Sequence, residues 1–389
     1  MRPALLLYCQ HSVGLGHLAR SLALAEALAR RFDVTLLSGG AMPEGVSAPA
    51  GVELVALPPL GMRSDGKLVS RDDRHSVDDA FALRRAALLA ALQRTRPAAL
   101  VIEMFPFGRK KFAAELVPLL EAAHALGPAR PVVACSLRDI LVGRGERQVE
   151  YDERACLAAN RHFDAILLHA DPRLARLEES FRPRTPLRVP VHYTGFVVPA
   201  GSVAPATRRE GVVVSAGGGI VGGPLMRAAL DAHRWLWPAL AVPTTLVAGP
   251  FLPADEWRHL ERVAARAEGL RLVRSVPNLR ETLAGAAASV SQCGYNTALD
   301  LVRSGVPALV VPYYAEGEDE QLRRARRLED LGALRVLEPD RLDGPALAAG
   351  IRETLRFRPQ PAGLRLDGAS ETAELLTHLV SVRTGVAAA

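Results

Sequence analysis

One stretch of the sequence is especially informative: Ser289-Val290-Ser291-Gln292-Cys293-Gly294-Tyr295-Asn296-Thr297-Ala298-Leu299-Asp300, which continues to Ala325. A small apolar run at 286–290 predicts a short buried strand, which Gly294 ends. A helix is predicted to open near Asn296 or Thr297, with Asp300 in its first turns. Gly305 and Pro307 end this helix, the next strand follows at 307–312, and 316–326 is a loop that enters another helix.

A strand, a turn and a helix N-terminus present backbone N–H groups and the positive end of the helix dipole to an anion. An acid early in that helix, at the carboxyl edge of a parallel sheet, can hold a ribose diol. The hypothesis is therefore a sugar-nucleotide site that includes Asp300. The alternative stays open that this is an ordinary helix N-terminus, where an acid only complements the dipole.

Composition limits the class of protein. A chain of 389 residues is too long for one ordinary core and suits two domains. With 49% hydrophobic and 23% charged residues, it is predicted to be soluble and globular. The net charge of +6 comes from arginines spread along the chain, and the run at 323–327 is typical of a solvated helix face. No nucleic-acid-binding signature accompanies it, so we expect acidic small molecules or an anionic membrane surface as partners.

The four cysteines are far apart and show neither a CxxC pair nor metal-ligand spacing, so reduced thiols in the cytoplasm are expected. The first apolar run, at 4–8, is too short for a signal peptide. No run approaches the roughly 20 apolar residues of a transmembrane helix.

Strand and helix patterns alternate along the first half. An apolar strand at 4–8, a loop at 11–17, an amphipathic helix at 18–30 and a strand at 32–37 form one β–α–β unit, which implies a parallel sheet. Later strands are predicted at 52–57, 99–102, 131–135 and 165–169, with helices at 81–95, 113–126 and 152–161. The segment 61–79 is polar and lacks periodicity, so a mobile loop is predicted there.

The pattern restarts after a Pro- and Gly-containing linker at 199–210. The sequence thus predicts an α/β protein with two doubly wound domains: 1–198, 211–369, and a C-terminal helix at 370–389 that packs back on the first domain. The ligand is expected where the carboxyl edges of the two sheets face each other.

Several polar residues of the first half follow predicted strands. His17 lies in the first turn of a helix, where the dipole disfavours imidazolium, so a neutral His17 is a candidate base near pH 7. Glu103 ends a strand and is the second candidate; the alternative is an ion pair with Arg138 or Arg109. Arg138 and Asp139, which follow the next strand, are candidate acceptor contacts with the same alternatives.

Two glycine patterns have different interpretations. Gly14-x-Gly16-x-x-Ala19 matches the dinucleotide fingerprint formally, but no acid ends the second strand, which argues against a nicotinamide or flavin site. The same glycines allow another ligand close to the helix start. The loop 216–223, which contains Gly217, Gly218, Gly219 and Gly222, could wrap a diphosphate with its backbone N–H groups; a tight turn is the alternative.

An aromatic and basic cluster follows Glu103: Phe105, Phe107, Arg109, Lys110 and Lys111. It predicts either a peripheral membrane patch or a contact for an amphiphilic or phosphorylated acceptor. A buried turn followed by a solvated helix start is the third alternative.

The sequence resembles GT-B glycosyltransferases of the MurG type. The resemblance rests on Gly294-Tyr295-Asn296-Thr297-x-x-Asp300-x-x-x-x-Gly305-x-Pro307-x-x-x-x-Pro312 and on Glu318-x-Glu320-Gln321-x-x-Arg324-Ala325. The loop Gly14-Leu15-Gly16-His17-Leu18-x-Arg20 and the glycine loop at Gly217 agree with it. The resemblance implies two Rossmann-like domains around a cleft, with a nucleotide-sugar donor held mainly by the second.

The same resemblance implies roles for particular residues. Val276 would bond the base through its backbone, Asp300 would take the ribose diol, and Glu320 with Gln321 would reach the hexose hydroxyls. The diphosphate would face two further groups of residues: Gly217, Gly218, Gly219 and Gly222, and Gly294, Tyr295, Asn296 and Thr297. Gly14, Gly16 and His17 would face a small-molecule or lipid-linked acceptor, and neither a cofactor nor a metal is expected.

The reaction class has alternatives. The expected activity is an inverting transfer of a hexose or N-acetylhexosamine from a UDP-sugar to a hydroxyl group. UDP-sugar hydrolases of the PseG type share the fold and a similar Gly-x-Gly-His-x-x-Arg loop, with the His acting on water. A non-catalytic sugar-nucleotide-binding protein is the third class. The expected location is the cytoplasm, with a peripheral membrane contact as an open alternative.

Overall fold

The computed structural model describes residues 2–11, 16–43, 45–63, 66–201, 208–315 and 318–385. The chain forms two compact units, one made of Met1–Ala200 with Leu364–Ala389 and the other of Gly201–Gly363. The chain returns to the first unit at Leu364, whereas the sequence pattern places that return at Ser370. Part of the predicted linker, 202–207, lies outside the described residues.

The first unit is a parallel sheet with helices packed on it. Its strands in chain order are β1 (Ala4–Cys9), β2 (Asp33–Ser38), β3 (Val52–Ala56), β4 (Leu60–Met62), β5 (Leu68–Ser70), β6 (Ala99–Glu103), β7 (Val132–Arg138), β8 (Ala165–His169) and β9 (Val191–Tyr193). Its helices include α1 (Gly16–Leu28), α2 (Val77–Thr95), α3 (Ala113–His124) and α4 (Gln148–His162). Within the described residues the sheet has seven strands in the order β3-β2-β1-β6-β7-β8-β9. Its central strands are buried throughout, which explains their continuous apolar runs.

The second unit repeats this plan. It contains the strands β10 (Val212–Ser215), β11 (Thr244–Val247), β12 (Leu270–Val273), β13 (Ala288–Ser291), β14 (Ala308–Val310) and β15 (Arg335–Val336). Its helices are α5 (Gly223–Leu240), α6 (Ala254–Ala264), α7 (Leu279–Ala284), α8 (Tyr295–Ser304), α9 (Glu320–Asp330) and α10 (Gly344–Thr354). The parallel strand order β12-β11-β10-β13-β14-β15 is that of a Rossmann fold.

The last helix, α11 (Gly368–Thr384), belongs to the first unit. It packs against α1, and Ala373, Leu376 and Val380 join the core that β1 and α1 form. Arg383 Nη2 lies 2.8 Å from Asp164 Oδ1, at the start of β8. The final helix is therefore an integral part of the first core.

The prediction of an irregular loop at 61–79 is wrong. β4 and β5 pair as an antiparallel hairpin there, with Leu60 opposite Ser70. Helix α2 begins at Val77, four residues before the predicted start, because Ser76 and Asp79 form a capping box. Ser76 Oγ accepts the backbone N–H of Asp79 at 3.1 Å, and the Asp79 carboxylate accepts that of Ser76 at 3.2 Å.

Each sheet has one point where the strand order reverses. In the first unit β1 lies between β2 and β6, and in the second unit β10 lies between β11 and β13. Connections leave β1 and β6, or β10 and β13, on opposite sides of the sheet, which opens a crevice at the carboxyl ends of these strands. The candidate residues of each unit collect at that edge.

Candidate active site

A buried charged cluster lies at the strand-order reversal of the first sheet. Glu103 is the last residue of β6, and none of its side chain is exposed. His17 Nδ1 lies 2.6 Å from Glu103 Oε1, and Arg20 bonds the same carboxylate oxygen through Nη2. Arg109 Nε is 3.7 Å from Glu103 Oε2. The two candidate bases of the first half are therefore hydrogen-bonded to each other.

The local sequence explains why His17 and Arg20 lie close to Glu103. β1 and β6 are neighbours in register, with Tyr8 opposite Ile102, so helix α1 starts close to the end of β6. His17 and Arg20 are one turn apart on α1 and therefore share a face of the helix. This face is turned to Glu103. Gly16 is the first residue of α1, and the candidate Gly14 lies outside the described residues.

The charges around Glu103 fix its protonation state. Burial raises the pKa of this carboxyl, but the charges of Arg20 and Arg109 and the hydrogen bond from His17 outweigh that effect and hold the pKa below its ordinary value. Glu103 is thus ionised at neutral pH and balances one of two guanidinium groups.

His17 is neutral in this environment. Burial and then the Arg109 charge lower its pKa to about 3, although Glu103 opposes the shift. A carboxylate can only accept, so Nδ1 of His17 carries the proton and Nε2 keeps a lone pair. The His17 side chain is 23% exposed, whereas that of Glu103 is fully enclosed. The arrangement presents a neutral imidazole that is oriented from behind by a buried carboxylate.

Further polar groups brace this edge, and sequence reasoning assigned none of them a role. Arg84 and Glu115, both fully buried, form an ion pair with Arg84 Nε 2.7 Å from Glu115 Oε2. Tyr8 donates to Glu115 at 2.6 Å, which ties β1 to helix α3. On β8, His169 lies 2.8 Å from Ser136 Oγ. Since Ser136 is the register partner of Glu103, this contact lies directly beside the cluster.

Arg138 and Asp139 also lie at this edge. Arg138 is the last residue of β7 and pairs in register with His169, and the next residue, Asp139, is fully buried. Of the two arginines considered as partners for Glu103, Arg109 makes the ion pair.

For Phe105, Phe107, Arg109, Lys110 and Lys111 the alternative of a peripheral surface patch is wrong, and the structure fits the third alternative, a buried turn followed by a solvated helix start. Phe105 and Phe107 are only 4% and 3% exposed, and Phe107 packs edge-on against Phe181 at a ring distance of 4.9 Å. Arg109 turns towards Glu103, so only the two lysines remain exposed. An irregular turn has no periodicity from which the sequence could show which aromatic ring points inwards.

In the second unit, the glycine turn after β10 and the start of α8 lie side by side. Gln292 Nε2 donates to the Val221 carbonyl at 3.2 Å, and a Cβ atom at Gly217 would lie 4.0 Å from Thr297 Oγ1. Gly219 has a φ of +92°, and a Cβ atom there would lie 2.5 Å from the Ala248 carbonyl oxygen, so this position requires glycine.

Helix α8 begins without a side-chain cap. Its N-cap residue is Gly294, which has no side chain to cap the helix. A Cβ atom at this position would meet nothing within 4 Å. Tyr295, Asn296 and Thr297 form its first turn, at the positive end of the helix dipole. Gly218 and Gly222 belong to the turn after β10.

Asp300 lies in the second turn of α8 and is partly buried. Burial raises the pKa of its carboxyl to about 6, although the positive charges of Arg280 and Arg303 oppose the shift. Val276 follows β12, in the short connection to α7, at the same edge of the sheet. The residues with predicted base and ribose roles are therefore on neighbouring connections, because α7 packs against α8.

Gln321 holds two connections together. Its Oε1 accepts the backbone N–H of Cys293 at 3.0 Å and that of Tyr313 at 3.1 Å. Arg324, only 1% exposed, donates to the Cys293 carbonyl at 2.7 Å. Glu320, the first residue of α9, lies 3.6 Å from Arg324. The segments that follow β13 and β14 are thus both fixed to the first turn of α9.

Comparison with known proteins gives one family match and relatives of moderate similarity. Residues 259–375 match the glycosyltransferase family 28 C-terminal domain. The UDP-N-acetylglucosamine–N-acetylmuramyl-(pentapeptide) pyrophosphoryl-undecaprenol N-acetylglucosamine transferase of Anaeromyxobacter sp. (strain K) is 32% identical over 133 residues. That alignment covers 30% of this chain and 35% of the relative, so the chain spans about a third of the curated relatives it matches.

Solved structures are similar along nearly the whole chain. MurG of Acinetobacter baumannii has a TM-score of 0.56 and 16% identity, over 97% of this chain and all of that one. A UDP-glucosyltransferase from Polygonum tinctorium has a TM-score of 0.61 and 17% identity, over 99% of both chains. At this identity the likeness shows the fold, which is GT-B as predicted.

Proposed function

We propose that the protein is a UDP-sugar-dependent glycosyltransferase, because residues 259–375 match the glycosyltransferase family 28 C-terminal domain and the fold is GT-B. It moves a hexose or N-acetylhexosamine to a hydroxyl acceptor, with inversion and without a metal. The observation that supports this best is the neutral His17 hydrogen-bonded to a buried, ionised Glu103.

The first unit supplies the base. As the acceptor oxygen attacks the anomeric carbon, its proton passes to Nε2 of His17, which becomes an imidazolium. Glu103 keeps the proton on Nδ1 and stabilises the imidazolium that forms, which is the role of the carboxylate in a catalytic triad. Base catalysis of this kind contributes roughly 10²–10⁴-fold to the rate. A single displacement inverts the anomeric centre.

The second unit holds the donor. Asp300 accepts from both ribose hydroxyls, the Val276 backbone bonds the base, and Glu320 contacts the hexose. Gln321 uses its carbonyl oxygen for two backbone groups, so its amide N–H₂ is the part that can reach a sugar hydroxyl.

The leaving group is UDP, which departs with the electron pair of the broken anomeric C–O bond. The turn Gly217–Gly222 and the first turn of α8 stabilise its diphosphate with backbone N–H groups and the helix dipole. Such donors take the place of a metal ion in this proposal.

A sugar-nucleotide hydrolase of the PseG type is the second candidate. The same His17–Glu103 pair could take a proton from water instead of an acceptor.

We place the protein in the cytoplasm because all four cysteines are unbridged and buried. Among the described residues, no helix combines the length and the apolar character needed to cross a membrane.

A nucleotide-sugar and acceptor screen read by mass spectrometry tests this proposal. Transfer that needs an added acceptor supports the transferase, and release of free sugar without one supports the hydrolase. His17→Ala should lower kcat of either reaction roughly 10²–10⁴-fold, whereas His378→Ala, at an exposed position on α11, should have no effect. A His17→Ala variant that keeps the wild-type kcat would refute the assigned role of His17.

A further inference from the structure

A pocket of about 740 Å³ lies in the first unit, and the mechanism above does not use it. It opens between α3, α4 and the segments that follow β6 and β7. Its apolar lining consists of Phe105, Pro106, Ala113, Val117, Ala155 and Ala158. A recess of this size falls in the range of small-molecule sites, which are lined mainly by apolar side chains.

The mouth of the pocket is strongly basic. The cationic lining residues are Lys110, Lys111, Arg144, Arg147 and Arg154, all exposed. Among the described lining residues, Glu150 is the one carboxylate; it lies 2.5 Å from Arg154 and 3.8 Å from Arg147. With five positive charges and one negative charge, the mouth of the pocket carries a net positive charge, which favours the binding of an anion.

Two of these cations lie over the ring of Tyr151. Lys110 Nζ lies 4.9 Å and Arg144 Cζ 4.8 Å from the centre of its ring. Burial, and after it the positive charges of its basic neighbours, lower the pKa of Lys110. An anion between these cations would counter the effect of their charges.

We propose that this pocket binds an anionic amphiphile. A phosphate or carboxylate group lies among the lysines and arginines, and an apolar chain or ring lies on the floor that Phe105, Pro106 and Val117 form. The positive charges at the mouth favour an anionic head group. Because the apolar floor is recessed, it fits a single molecule better than it fits a flat membrane surface.

Calorimetric titration of the full chain with octyl phosphate, below its micelle concentration, tests the proposal without any donor. We expect one saturable site, with octyl glucoside and inorganic phosphate binding at least about tenfold more weakly. The double variant Lys110→Gln/Arg144→Gln should weaken octyl phosphate about tenfold. Arg31→Gln, which removes an exposed cation near the amino end of β2, is the matched control and should not change the affinity.

Ala158→Trp tests the apolar floor, because an indole there fills the pocket. It should abolish octyl phosphate binding without changing the melting temperature of the protein. Equal binding of all three probes, or an affinity that neither variant changes, would overturn the proposal. Binding of phosphatidylglycerol vesicles without saturable binding of octyl phosphate would overturn it as well, in favour of a membrane patch.

The two proposals can fail separately. Octyl phosphate binding with the expected variant effects, but without turnover of any nucleotide sugar, supports the pocket and contradicts the transferase. Turnover of a nucleotide sugar by a protein that does not bind octyl phosphate supports the transferase and contradicts the pocket.

Discussion

Replacing Glu103 by Gln should remove a large part of the stability of the first unit. Glu103 is fully buried and its carboxylate balances Arg20 and Arg109, so its loss leaves guanidinium groups without their anion, which costs about 3 kcal/mol. Because the folded pKa lies below the ordinary value of 4.5, this contribution is complete above about pH 4.5 and is lost as the pH falls through the folded pKa. For a unit of this size, the melting temperature should fall by about 6–12 °C.

The same substitution should affect catalysis more than stability explains. Glutamine leaves Arg20 and Arg109 without their anion, and its amide can donate to Nδ1 of His17, which would move the imidazole proton to Nε2. We expect kcat to fall on the order of 10²–10⁴-fold at saturating substrates. Glu115→Gln is the matched control, because it breaks an equally buried carboxylate–arginine pair. It should lower the melting temperature similarly and leave kcat within about twofold of the wild type.

Scanning calorimetry measures the first effect, and nitrogen-15 NMR of labelled histidine, assigned with His17→Gln, reads the protonation of His17 directly. In the wild type, His17 should stay neutral and protonated at Nδ1 from pH 7 to pH 5, since its pKa is lowered to about 3. A wild-type His17 that titrates at or above pH 6.5 would refute the reasoning. So would a Glu103→Gln variant with unchanged melting and unchanged kcat.

Three further predictions concern the second unit. Because the pKa of Asp300 is raised to about 6, UDP affinity should fall as the pH drops from 7.5 to 5.5 and the carboxyl gains a proton; calorimetry should show this loss in the wild type and not in Asp300→Asn, and a wild-type affinity independent of pH would contradict the ribose contact. Gln321→Leu orphans the N–H groups that follow β13 and β14 and should cost about 2–4 kcal/mol in urea unfolding, whereas Gln321→Glu should cost less because its carboxylate still accepts; equal losses would disprove the bracing role. Gly219→Ala should destabilise by about 1–3 kcal/mol, because its Cβ would clash with the backbone at a positive φ, whereas Gly285→Ala, with φ −83° and no atom closer than 3.7 Å to the added Cβ, should not; similar unfolding midpoints for the two would rule out this explanation.

Regular periodicity made the architecture predictable. Apolar runs such as Leu5–Leu7 and Val212–Val214 show buried parallel strands directly, and Gly305 marks the end of α8 because it adopts the left-handed conformation there. The hairpin β4–β5 escaped prediction because strands of three residues are too short to show a period. The start of α2 could have been found from its capping box, Ser76 and Asp79.

Contacts between side chains on different strands were harder to predict from the sequence. The sequence placed His17 and Glu103 at ends of secondary-structure elements, but only the strand order brings β1 next to β6 and the two side chains together. Arg20 stood in the quoted motif without a role, although its position one turn after His17 could have indicated a shared target. The contacts of Gln321 with the backbone were not predicted, because side-chain bonds to distant backbone groups leave no pattern in a sequence.

The place of α11 determines the order in which the chain can fold on the ribosome. The second unit, Gly201–Gly363, is continuous and can bury its core as soon as it emerges. The first unit lacks Ala373, Leu376 and Val380 until α11 has been synthesised, so the unit that contains β1 is completed after the second unit has emerged. Until then the surface of α1 that α11 covers is exposed apolar surface, and chaperones bind such surface in nascent chains.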